Sequence, residues 1–170
     1  MHTDLYLDWS EKAAINAEQL AQEARFLSDA KRSARAYYLA HMAIEESAKS
    51  ILLWAMGPTM LGDELPRLSA LLRNHKKKIE FVVSYAASAS PELAAQLGEL
   101  QPKLISHIND LKNETMYVSV EDAQVIMPSD RVAKIDVSQH LSVAEGLADM
   151  ARKLLTNAST RRAKSHARDA

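Results

Sequence analysis

Three segments of this chain carry side chains whose types and spacing could do acid–base chemistry on a phosphate. The first is a ladder of His41, Glu45 and Lys49, with Glu46 beside it. Steps of four put the three on one helix face, and glutamate ahead of lysine is the favourable order for a pair. Two readings stand side by side. One is a solvated ion pair worth about a few tenths of a kcal/mol. The other is a half-buried network that must be satisfied from other helices. The second segment, Arg73-Asn74-His75-Lys76-Lys77-Lys78, could supply those partners through His75, Lys76 and Lys78, contact phosphates, or form a solvated face. The third, Lys112-Asn113-Glu114-Thr115-Met116-Tyr117, sets a cation, an amide and a phenol at the end of a helical pattern. That combination can hold a phosphate; a cation complementing the helix dipole beside a packed tyrosine is the plainer reading.

The elements that must position these groups are helical. The chain has 170 residues with 4 Gly, 5 Pro and few aromatics, which favours one helical domain over a sheet protein. Helix one is expected to start near Asp8 or Ser10, with Ser10 as cap and Ile15, Leu20, Ala24 and Leu27 as stripe, and to end near Ser28-Asp29. Helix two runs from Arg32 to Met56, stopped by Gly57-Pro58. Its small face, Ala36, Ala40, Ala43, Ser47 and Ala55, suits close approach of another helix, in this chain or in a second copy. Helix three is expected from Asp63 to Ser88, and helix four from the cap Ser90 through Leu111 with a kink at Pro102. Helical periodicity is lost over 115–137, where 117–120 and 124–127 look extended and Pro128-Ser129-Asp130 looks like a turn. Ser138 is expected to cap a last helix through Leu155. The reading is therefore all-α: an up-and-down bundle of about five helices with one irregular or hairpin excursion, a single domain over 1–157, and a mobile basic tail over 158–170.

Composition narrows the chemistry. There is no Cys, so thiolate metal sites and disulfides are excluded. There is no Glu-x-x-His of the kind carboxylate-bridged di-iron bundles use, and no metal or other cofactor is expected. A net charge of −1 argues against a globally basic nucleic-acid sleeve, so any RNA contact is local. Nothing at the N-terminus resembles a signal peptide and no apolar run is long enough to span a bilayer, so a cytoplasmic protein without membrane contact is expected. The tail arginines Arg161, Arg162 and Arg168, with Lys164, could add non-specific RNA affinity or simply solubilise the end.

Taken in order, these residues resemble a known family. Ala40, Ile44, Glu45, Glu46 and Lys49 form Ala-x-x-x-Ile-Glu-Glu-x-x-Lys; His75 and Lys78 form His-x-x-Lys; Leu111, Lys112, Tyr117 and Val118 follow, and then Pro128. The set, over residues 10–155, resembles the AbiV-type abortive-infection proteins, phage-resistance factors within the HEPN superfamily of helical domains. The resemblance implies a HEPN-like bundle, a homodimer, a phage-encoded activator as partner, and RNA as target of a metal-independent endoribonuclease. The superfamily motif is Arg, a polar residue, three others and His. The matching positions here read Lys112, Asn113 and Tyr117, a departure at both charged places. An Arg35-x5-His41 spacing lies on helix two, away from the motif's place.

Cleavage of RNA by its own 2′-hydroxyl needs a base, a cation for the crowded phosphate and an acid for the leaving oxygen. Glu45, Lys49, His75, Lys112, Asn113 and Tyr117 are the expected catalytic set, with Glu46, Lys76 and Lys78 as substrate-binding groups. Two other readings remain: a non-catalytic helical module whose polar groove recognises a phage or host protein, and a structural bundle whose inward charges fix register.

Overall fold

The computed structural model describes residues 2–56, 65–89, 91–92, 95, 98, 114–133 and 135–166. Its elements are α1 (His2–Asp29), α2 (Ser33–Met56), α3 (Leu65–Arg73), α4 (His75–Ala89), β1 (Ser119–Glu121), β2 (Gln124–Ile126), α5 (Pro128–Val132) and α6 (Val137–His166). The expected all-α bundle forms, with a small hairpin as its excursion.

Alanine determines how α1 and α2 meet. Ser10, Ala14, Ala17, Ala21 and Ala24 are buried on α1, and Ala36, Ala40, Ala43, Ser47 and Ser50 on α2. Both sets follow alternating steps of four and three, the seam of an antiparallel coiled pair with small knobs. Ser10 Oγ donates to the Ser50 carbonyl at 2.8 Å, and Ser50 Oγ donates to the Ser10 carbonyl at 2.8 Å. That reciprocal pair sets the register. Ser10 is thus a buried contact within a helix that starts at His2, not a cap, and Ile15 of the expected stripe is exposed. The small face of α2 is used inside the chain.

A short connection makes α1 and α2 antiparallel. Lys31 takes φ 60° there. The Arg32 amide donates to the Leu27 carbonyl and the Lys31 amide to the Ser28 carbonyl, closing the helix end in a Schellman turn. The main core joins Ala14, Ala21, Ala40, Ile44 and Ile51 to Ile79, Val82 and Ala86 of α4 and to Leu141, Ala144, Leu147 and Ala151 of α6. A second cluster, Tyr6, Leu52, Leu53, Leu68 and Leu72, closes the far end.

Three further boundaries differ from expectation. Helix three is two helices: the Asn74 side chain accepts the Lys77 amide at 3.0 Å and its carbonyl accepts the Lys78 amide at 3.0 Å, so Asn74 caps a new helix. Pro128-Ser129-Asp130 opens the short α5 instead of a turn, with proline at its start and Asp130 Oδ2 accepting the Met127 amide at 3.0 Å. Asp136, not Ser138, caps α6: its Oδ1 accepts the Ser138 and Gln139 amides at 3.0 and 3.1 Å. The α6 backbone continues to His166, past Leu155. The expected fourth helix, with Ser90 and Pro102, falls largely outside the described residues.

The hairpin pairs Ser119 with Ile126, Val120 with Val125 and Glu121 with Gln124. Asp122 and Ala123 turn at φ 49° and 61°. Two consecutive positive values are what a two-residue loop between right-twisted strands demands.

Candidate functional site

Glu45 is the centre of a buried charge cluster between α2 and α4. It is only 4% exposed. His41, one turn earlier on α2, brings Nε2 to 3.3 Å from Glu45 Oε1. Because Asn74 starts α4 afresh, His75 is its first residue and Lys78 lies one turn on, so both face α2 (spacing i, i+3). His75 Nδ1 stands 2.7 Å from Glu45 Oε2 and Lys78 Nζ 3.6 Å from the same oxygen. The ring N–H directions of His41 and His75 are not aligned with these oxygens, so the contacts act through charge proximity more than as directional hydrogen bonds.

Burial separates the members. Lys78 and His41 are almost fully enclosed, at 3% and 1% exposure. The His75 side chain keeps 34% of its surface open. With Nδ1 close to a carboxylate, Nε2 is the nitrogen left for a ligand. Burial alone would raise the pKa of Glu45, but His41, Lys78 and His75 outweigh it and hold the carboxyl well below the usual range. Burial lowers the pKa of Lys78; the Glu45 charge opposes that shift and Lys49 adds to it.

Behind the cluster lies an aromatic stack that the sequence did not disclose. The ring of His140, from α6, packs on Tyr37 with centroids 4.4 Å apart and on His41 at 5.7 Å, nearly parallel at 13°. Burial, with His41 nearby, pushes the pKa of His140 down to about 3. Burial pushes Tyr37 up to about 12. His140 Nε2 and His41 Nδ1 have no hydrogen-bond partner among the described residues. The one sequence signal was an imidazole inside the apolar stripe of α6, flanked by Val137, Leu141 and Ala144.

The structure brings some expected site residues together and leaves others apart. Glu45, His75 and Lys78 meet, and Lys49 pairs with Glu46 at their border. Lys76 is exposed, 4.0 Å from Glu80. Lys112 and Asn113 lie outside the described residues. Tyr117 does not turn inward: its residue is 68% exposed. The reason is the anchoring on either side of it. Arg131 of α5 pairs with Glu114 at 3.5 Å and with Glu121, and donates to Ser119 Oγ at 3.1 Å. Those contacts, with Thr115 buried, fix the segment so that Tyr117 and Val118 face solvent.

Among the described residues, no helix is long and apolar enough to cross a membrane, and no three His, Asp or Glu side chains are grouped as metal ligands. Comparison with curated proteins gives no match, and neither does comparison with solved structures. The family model HEPN_AbiV, described as AbiV, matches residues 5–149, a span that holds most of α1, all of α2, the Glu45 cluster and the His140 end of α6. By that match the chain belongs to the HEPN_AbiV family, of abortive-infection type.

Proposed function

We propose that this protein is an abortive-infection effector that acts on RNA, with His75 as the proton-transferring group at the mouth of the Glu45 cluster. The observation that carries the reading is the His75 Nδ1 to Glu45 Oε2 approach of 2.7 Å on a ring that keeps a third of its surface open. A carboxylate charge so close favours a proton on Nδ1, which leaves Nε2 to accept the 2′-hydroxyl proton, and stabilises the imidazolium that forms. Glu45 itself is too enclosed to meet a substrate. Lys78, also buried, keeps the carboxylate ionised from behind. Exposed cations flank the opening: Arg73 at the end of α3, and Lys76 and Lys77 in the first turn of α4. Cations at a helix N-terminus oppose the dipole, so their placement favours an anionic ligand over stability of the helix.

A second reading rests on a different observation. Met116, Tyr117, Val118, Val120, Val125 and Met127 are all exposed around the hairpin. Contiguous exposed apolar side chains favour protein recognition, by a phage-encoded activator or a second copy. The two readings are compatible as effector site and trigger surface. The test is infection of cells carrying the wild-type gene, His75→Ala, or Val120→Asp with Val125→Asp. RNA fragmentation on infection is expected for wild type and for neither variant. If His75→Ala fragments RNA and protects as well as wild type does, the assignment of His75 is wrong. Loss of protection only in the hairpin variant leaves the binding-module reading in its place.

A further inference from the structure

We infer that His140, on the last helix, is a positioning residue: by stacking on His41 it holds that ring against Glu45 and so sets the electrostatic environment of His75. The inference rests on the reading of His75 as the acting group.

Three observations converge on it. First, nothing polar fixes His41 apart from Glu45: Nδ1 has no partner among the described residues, and Nε2 sits 3.3 Å from Oε1 without alignment. Its orientation must then come from packing. Second, the packing partners are rings. His140 lies nearly parallel to His41 with centroids 5.7 Å apart, and Tyr37, 4.4 Å from His140, also stacks on His41 at 6.4 Å, so His140 is the ring brought to His41 from another helix. Third, an isolated buried imidazole is a costly choice for an α6 core position. His140 Nε2 is enclosed and unpartnered there, whereas leucine would fill such a site without leaving a polar atom unmet. Among the described residues, the groups that face this assembly are Tyr37, His41, Glu45, Glu46 and Lys49 from α2, His75 and Lys78 from α4, and His140 from α6.

The consequence runs along the chain His140–His41–Glu45–His75. With His41 in place, an imidazole nitrogen stands 3.3 Å from one oxygen of Glu45, and His75 and Lys78 stand beside the other. When His41 swings away, more of the carboxylate's charge is left uncompensated beside His75. A less compensated anion favours the imidazolium, so proton affinity at His75 rises.

The test is a proton NMR titration of the full-length protein, following the assigned His75 ring in wild type, His140→Ala and His140→Phe. His140→Ala removes the stacked ring and should raise the His75 pKa by about half a unit or more, while His140→Phe, which keeps a ring, should change it by less than about 0.2. An unchanged His75 titration in a folded His140→Ala variant overturns the inference. So does a shift in His140→Phe as large as that in His140→Ala, because polarity and not stacking would then be at work. If His140→Ala does not fold, His140→Leu, which fills the space without a flat ring, carries the same expectation and the same refutation. The readout is independent of RNA: failure of the RNA reading would leave the titration shift intact, and failure of the positioning idea would leave RNA cleavage dependent on His75.

Discussion

Acidification from about pH 7.5 to about pH 5.5 should weaken the fold by on the order of 1 kcal/mol through His140 alone. The sign follows from burial. The unfolded chain protonates this imidazole at its ordinary value of 6.5, while the folded chain resists until about 3. Below 6.5 the unfolded state therefore binds the extra proton, and stability is lost steadily as pH falls through the interval. Carried to pH 3, the loss is on the order of 5 kcal/mol. Glu45 adds a second, separate loss. Its carboxyl is held down in the folded state, so its contribution stands above the ordinary value of 4.5 and disappears below it. The window above pH 5.5 isolates the histidine. Urea unfolding of wild type and His140→Phe at the two pH values is the assay. The variant should be as stable as wild type or more so at the upper pH, since it removes an unpartnered buried nitrogen, and should show a shallower decline by the stated amount. Equal pH dependence in the two proteins would refute the claim that His140 is buried and neutral.

Three other substitutions probe the architecture. Glu45→Gln leaves Lys78 buried without its counter-charge and should cost about 3–5 kcal/mol, seen as a melting temperature lower by on the order of 10 °C. Ala17→Leu on the α1–α2 seam should cost about 1–3 kcal/mol or more in urea unfolding, since helices packed through alanine have no room for three extra carbons. Ala123→Gly should stabilise the protein by up to about 1 kcal/mol, because the residue holds φ 61° in the exposed hairpin turn; a loss of stability there would mean the turn is not formed.

Much of the frame was readable from spacing, and the misreadings have specific causes. The ladder of His41, Glu45 and Lys49 on α2 followed from period, and the extended stretches before α5 from its loss, while the turn expected at Pro128-Ser129-Asp130 is a helix start and the hairpin turns at Asp122-Ala123. Asn74 gives no boundary signal in the sequence because it lies inside an apolar period that continues across it, yet its side chain breaks α3 from α4 and is what aims His75 and Lys78 at Glu45. Ser10 looked like a cap because capping and cross-helix hydrogen bonding use the same hydroxyl; only the partner, Ser50, distinguishes them. Tyr117 looked like a closing phenol because linear proximity to Lys112 hides the Arg131 anchor that turns it outward. Tyr37 and His140 were invisible as a pair because they lie on helices far apart in sequence that only the fold brings into stacking contact.

The most direct measurement is in vitro. Purified wild type and His75→Ala are incubated with mixed-sequence single-stranded RNA and chelator, and the product lengths and ends are resolved over time. With His75 acting as proton carrier, wild type cuts and the variant cuts about 100-fold more slowly or worse. Equal cutting by both proteins, or intact RNA with wild type even when infected-cell extract is added as a source of activator, would contradict it.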